Sequence, residues 1–153
     1  MTETVVCVGA VVRRGDSALL VRQSPGHSLA GQWTIPWGQI GRGESPTAAV
    51  LREINEEAGV IARVEGLLGV QELPEPWLGM VGILFLCAHV DGVPAPDKHE
   101  TDAARYIDAD QLDAIRDSLE PLTAWMVRRV LADDFCLLQM NESGPFVPSP
   151  TYL

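Results

Sequence analysis

Along the chain, apolar residues first gather in an unbroken run, Val5–Val12 (VVCVGAVV), dominated by β-branched side chains. That pattern predicts a strand buried on both faces rather than an alternating, half-exposed one. Arg13–Ser17 supplies turn residues, and Ala18–Arg22 reads as the returning strand of a hairpin. Gln23–Gln32, with two glycines and a proline, is a loop, and Trp33–Ser45 reads as a short strand running into a glycine-rich loop. Val60–Gln71 and Met80–Val90 are predicted strands joined by the proline-rich loop Glu72–Gly79 (ELPEPWLG). Asp91–Asp102 is a further loop, and Ala104–Ile107 a short strand.

Between these runs the apolar period changes. Thr47, Val50, Leu51, Ile54 and Ala58 fall on one side of a helix that Ser45 caps, Pro46 opens and Gly59 closes. Asp108 or Asp110 starts a second helix running through Arg116, and Glu120-Pro121 a third running to about Ala132. The tail Asn141–Leu153 carries prolines after a glycine and is expected to be irregular. The apolar stretch Phe135–Met140 either packs on its own domain or crosses to a second copy. No repeat or interior linker divides the chain, so the expectation is one α/β sandwich domain over residues 1–153, with its core at about 5–131.

The first helix carries an electrostatic anomaly. Glu53, Glu56 and Glu57 sit at i, i+3 and i+4, so they repel one another, and carboxylates near a helix C-terminus also oppose its dipole. At roughly 100° per residue they cluster more than about 90° from the middle of the apolar stripe. The helix is therefore expected to dock by one face and present acid on another.

Net charge sharpens this picture. The formal charge is −10, with ten arginines and one lysine, Lys98, and no basic cluster. A nucleic-acid polymer would be repelled by most of such a surface, whereas a phosphate-bearing small molecule can bind through metal cations. The apolar runs fall short of the roughly 20 residues of a membrane span, and the N-terminus lacks a signal-peptide pattern. A cytoplasmic setting and no membrane partner are the default expectations. Cys7, Cys87 and Cys136 are widely spaced, which argues against a structural zinc site or disulfide framework, and Cys7 and Cys87 read as small buried hydrophobes.

The glutamates belong to a longer pattern. Gly38, Glu44, Arg52-Glu53-Ile54, Glu56-Glu57 and Gly59-Val60 match every fixed position of G-x5-E-x7-R-E-U-x-E-E-x-G-U, where U is aliphatic. From average composition, so many positions coincide by chance in a chain this long less than about once in a million. This stretch resembles the box of the Nudix hydrolase (MutT-like) family. The flanking hairpin, the GQWTIP lead-in and the ETDAARYIDADQL segment are similar to the family's usual surroundings. The resemblance implies an α/β/α sandwich with a mixed β-sheet. It also implies cleavage of a nucleoside diphosphate linked to another moiety, by water attack at phosphorus with Mg²⁺ or Mn²⁺. Carboxylate oxygens are the hard ligands such ions take.

Carried over by position, the metal ligands are Glu53, Glu56 and Glu57, with the Gly38 carbonyl as a further one and Glu44 as a supporting acid. Glu100, in a segment similar to the family's place for an additional glutamate, is a candidate ligand or base; the general base is either Glu53 or Glu100. Arg52 orients a glutamate, four residues ahead of Glu56. Arg22 and Arg42 are candidate phosphate contacts, competing with plain strand-end and loop roles. His27, His89 and His99 lack a ligand spacing. The lead-in IPWGQIGRG departs from the family's common Pro-Gly-Gly: Trp37 replaces the first glycine, and Gly41 stands where an acid often lies. Trp37 either faces a nucleobase or ribose or packs, and Trp77 either stacks on a base or covers the core. The expected substrate is a nucleotide-derived small molecule: a nucleoside triphosphate, an ADP-sugar or a dinucleoside polyphosphate. The alternative is a catalytically silent nucleotide-binding regulatory module on the same fold. Homodimers are common in the family.

Overall fold

The structure, a computed structural model, describes residues 4–153; the first three residues of the expected domain lie outside it. Among the described residues, nine strands and three helices follow one another as β1 (Val6–Arg14), β2 (Ser17–Gln23), β3 (Trp33–Thr34), β4 (Trp37–Gln39), α1 (Pro46–Ala58), β5 (Ile61–Glu72) and β6 (Val81–Asp91). β7 (Thr101–Ile107), α2 (Ala109–Ala114), α3 (Pro121–Leu131), β8 (Leu138–Asn141) and β9 (Thr151–Tyr152) complete the chain, with a single 3₁₀ turn at Arg116–Ser118.

The sheet is mixed, in the order β3-β2-β1-β6-β5-β8-β9, with β4 also paired to β1 and β7 to β2. Its central pair, β1 and β6, is parallel over eight residue pairs from Val6↔Val81 to Arg13↔Ala88. Both strands are buried because each face of the sheet is covered. Val8, Ala10, Val12, Leu19, Val21, Phe85 and Cys87 point toward α1, where they meet Ala49, Val50, Ile54 and Ala58. The alternate residues Val11, Leu20, Leu84 and Leu86 point to the other side, against Leu112, Met126, Val127 and Val130 of α2 and α3. Period-two alternation within an all-apolar run thus supplies two cores, one per layer, which makes an α/β/α sandwich.

Local signals account for the helix ends. The Ser45 hydroxyl accepts the Ala48 N–H, Pro46 occupies the first turn, and Gly59 closes α1 at φ 64°, a left-handed conformation suited to glycine. Asp108 caps α2 in a reciprocal capping box with Gln111. The Glu120 carboxylate accepts the N–H groups of both Leu122 and Thr123 at the start of α3.

Residues 142–150 of the tail form no strand or helix, as its prolines predict, but Thr151–Tyr152 departs from that expectation by forming β9. β8 pairs with β5 at Gly66↔Gln139 and Leu67↔Leu138, and β9 pairs with β8. Tyr152 packs edge-to-face on Phe85, with ring centroids 5.7 Å apart, and its hydroxyl lies 2.9 Å from the Thr47 hydroxyl. A buried aromatic and an unfilled edge of β5 therefore override local turn propensity and draw the chain end back onto its own domain. Among the described residues, no helix is long and apolar enough to cross a membrane.

Candidate active site

α1, β4 and the loop before β7 converge on one acidic cavity of about 600 Å³. Its wall includes Trp37, Gly38, Arg52, Glu53, Glu56, Glu57 and Glu100. The carboxylates of Glu53, Glu57 and Glu100 come within 4.8 Å of one another. Glu57 is only 2% exposed and Glu53 6%. The acid on α1 is therefore not the solvent-facing stripe expected from helical periodicity. β4 and the loop carrying Glu100 cover two of the three glutamates.

Burial dominates the electrostatics here. Desolvation pushes the Glu57 carboxyl up to about 9, and the nearby Glu53, Glu100 and Asp97 add to the rise. The one opposing contact is the Trp37 N–H, which donates to Glu57 Oε2 at 3.0 Å. Desolvation likewise raises Glu53, against the Arg52 hydrogen bond that favours its ionised form.

Arg52 gathers the remaining acids. Its Nε and Nη2 grip the two oxygens of Glu44 at 2.8 and 3.0 Å, and Nη1 reaches Glu53 at 2.7 Å and Glu56 at 2.9 Å. Nη2 also donates to the Gln39 carbonyl at 3.1 Å, tying α1 to β4. The Arg52 bond, helped by the Gly41 N–H, holds Glu44 down at about 2. Sequence spacing linked Arg52 to Glu56 alone; Glu44, eight residues earlier, becomes its bidentate partner because the loop folds back over the helix.

Gly38 lies against Glu53 so closely that a Cβ at position 38 would overlap the Glu53 carboxylate. Glu56 lines the same cavity but stays exposed, paired to Arg52 and outside the group of three. Glu100, two strands further along the sequence, joins that group. Trp37 and Trp77 line the acidic cavity and also a second, apolar cleft of about 440 Å³ beside it. That cleft runs between Ile35, Leu73 and Leu84 on one side and the start of α3 on the other.

Arg22 and Arg42 line neither cavity. Arg22 donates to Asp102 at 2.7 Å, and Arg42 is exposed in the loop before α1. His27, one of three histidines without a ligand spacing, lies on the wall of the acidic cavity. Asp97 and Thr101 escaped sequence reasoning, although Asp97 begins an Asx-type turn whose signal is an aspartate ahead of backbone donors. The Asp97 Oδ1 accepts the N–H groups of His99, Glu100 and Thr101 at 2.9, 3.0 and 2.9 Å.

Residues 3–128 match the family described as NUDIX domain, most of the chain and all of the site above. The chain belongs to the Nudix family. It is 32% identical over 140 residues to an NAD-capped RNA hydrolase NudC of Pseudomonas aeruginosa, covering 90% of this chain and 46% of that protein. It is 32% identical over 89 residues to an ADP-ribose pyrophosphatase of Methanocaldococcus jannaschii, covering 57% and 52%. The chain thus spans about half the length of these curated relatives. A Nudix hydrolase of Nitrosomonas europaea superposes with a TM-score of 0.77 at 21% identity, covering 87% of this chain and 73% of that one, which establishes the fold. In this Nudix chain the box residues supply α1, Gly38 and the Arg52 network, while Glu100 comes from outside the box.

Proposed function

We propose that this chain is a pyrophosphohydrolase that splits a nucleoside diphosphate linked to another moiety, using Mg²⁺ or Mn²⁺. The observation that carries the reading is the convergence of Glu53, Glu57 and Glu100 within 4.8 Å, with two of them buried. Among the described residues, the one protein cation bonded to these three carboxylates is Arg52, which touches only Glu53 of the three. Hard oxygen donors in this number suit a divalent ion, and the missing side chain at Gly38 leaves Glu53 the room to serve. Glu53, Glu57 and Glu100 would hold the metal, with the exposed Glu56 and the Gly38 carbonyl as the further ligands that the box implies. Bound there, such an ion lowers the pKa of water and offsets charge on the phosphates.

The protein's own groups divide the remaining work. Glu53 or Glu100 takes the proton from the attacking water as its oxygen bonds to phosphorus and the anhydride P–O bond breaks. Arg52 orients Glu53 while Glu44 holds Arg52. The non-phosphate end enters the apolar cleft shared through Trp37 and Trp77. The cleft's one charged wall group, Glu120, repels phosphate and spends both oxygens on α3. Relatives are named for ADP-ribose and for NAD-capped RNA; a net charge of −10 favours the free nucleotide over the polymer.

The test is product release from a nucleoside triphosphate, ADP-ribose, a dinucleoside polyphosphate, NAD and NAD-capped RNA, each with Mg²⁺ and with EDTA. Turnover of at least one, abolished by EDTA, is expected. Tight binding of one with turnover of none would refute the enzyme and leave the binding module.

A further inference from the structure

Glu100 stands out within the acidic group because, unlike Glu53 and Glu57, it does not lie on the Nudix helix. Its residue is exposed, its loop is joined to α1 only through space, and its carboxylate faces two others within 4.8 Å. Mutual repulsion drives a free side chain on a free loop away from Glu53 and Glu57. The backbone beneath it must resist.

We propose that Asp97 and Thr101 are positioning residues, forming a latch that fixes the loop of Glu100 to the last turn of α1 and so sets its carboxylate beside Glu53 and Glu57. The inference rests on the reading that these three carboxylates bind a divalent cation. Its two halves are both visible. On one side, Asp97 Oδ1 collects the N–H groups of His99, Glu100 and Thr101, closing the loop on itself. On the other, the fully buried Thr101 hydroxyl donates at 2.7 Å to the backbone carbonyl of Glu57, itself a member of the group. One hydroxyl thus ties the segment of one proposed ligand to the backbone of another.

Two further contacts restrict the loop. The Glu100 carbonyl accepts the Ser24 N–H at 2.9 Å, and the Ala95 N–H donates to the Ala58 carbonyl at 2.8 Å. Where β7 begins, its register against β2 steps from Ala103↔Arg22 to Thr101↔Gln23, leaving Asp102 as an extra residue. Arg22 holds that residue by its ion pair. An extra residue of this kind re-aims neighbouring side chains, and here it lies two positions from Glu100. Pre-organising a ligand through groups that do not touch the ion is a recognised source of metal affinity.

The test measures Mn²⁺ affinity by electron paramagnetic resonance, without substrate, for Thr101→Val, Thr101→Ser and Asp97→Ala in the native chain and in a Glu100→Gln background. Thr101→Val and Asp97→Ala are expected to weaken Mn²⁺ binding by about 10-fold in the native background. Thr101→Ser, which keeps the hydroxyl, is expected to restore it. In the Glu100→Gln background the same changes are expected to have little further effect, because the latch acts through Glu100. Equal losses in both backgrounds would mark a purely structural role and overturn the proposal. Asp97 lies at the surface, so Asp97→Ala opens no hole in the core and answers the question even where Thr101→Val unfolds. Undiminished affinity in a folded Asp97→Ala would also overturn the latch while leaving the metal reading intact. No Mn²⁺ binding by the native chain would overturn both.

Discussion

Glu57→Gln is expected to stabilise the metal-free protein at neutral pH, because the native carboxylate is buried where its charge is unwelcome. In the folded chain this group titrates at about 9, against an ordinary value of 4.5. A raised folded pKa means that the folded state holds the proton more tightly than the unfolded chain does. The stabilisation it gives is full below 4.5 and is lost as pH rises from 4.5 through 9. Each pH unit in that window costs about 1.4 kcal/mol, so by pH 7 the native protein has lost about 3 kcal/mol relative to acid conditions. Glutamine keeps the shape and the acceptor for the Trp37 N–H, and its amide can donate to Glu53 or Glu100. It has no proton to lose. Urea unfolding in EDTA at pH 5, 6, 7 and 8 should show the variant gaining on the native protein as pH rises. At pH 7 the gain is expected to approach 3 kcal/mol, or roughly 6–12 °C in Tm for a domain of this size. Added Mg²⁺ should stabilise the native chain and do little for the variant, reversing their order. A difference between the two proteins that is flat across this pH range would refute the reasoning.

Gly38→Ala puts a methyl into the space of the Glu53 carboxylate; Mn²⁺ affinity should fall by about 10–100-fold by calorimetric titration while the circular dichroism stays native. Thiol labelling under native conditions should modify exposed Cys136 quickly. Cys87, with its thiol pushed up to about 12 by burial, and Cys7, also raised by burial, should react only on unfolding. Mass spectrometry of the labelled chain reads the order. Tyr152→Phe removes the hydroxyl contact to Thr47 and should lower stability by about 0.5–1.5 kcal/mol in urea unfolding.

Much of this molecule is written locally. The strands over Val6–Arg14 and Val81–Asp91 follow from uninterrupted apolar runs, and α1 begins and ends at Ser45 and Gly59 because cap chemistry acts within four residues. The same locality makes the box legible: seven of its nine fixed positions lie on α1 and its immediate C-terminal flank. Legibility fails where pairing is long-range. The prolines of the tail predict irregular chain, which holds over residues 142–150, yet Tyr152 finds Phe85, and β8, largely in the apolar stretch ahead of the tail, finds an open stretch of β5. No local propensity encodes a partner strand some seventy residues away.

The sequence by itself determined the element types up to α3, the family resemblance and the presence of three clustered glutamates, since all depend on short-range spacing. Helical periodicity told which glutamates share a face, but not what would cover that face. Only the tertiary structure decided that Glu53 and Glu57 are buried while Glu56 is left to solvent and Arg52, and that Arg22 serves Asp102 rather than the cavity. It also brought Glu100 to the group, through a latch built from Asp97 and Thr101, and set Trp37 and Trp77 on the boundary of two cavities. The physical reason is common to all of these. Burial, and with it desolvation and charge coupling, is a property of what packs against a residue, and in this fold the covering segments come from β4 and from the start of β7.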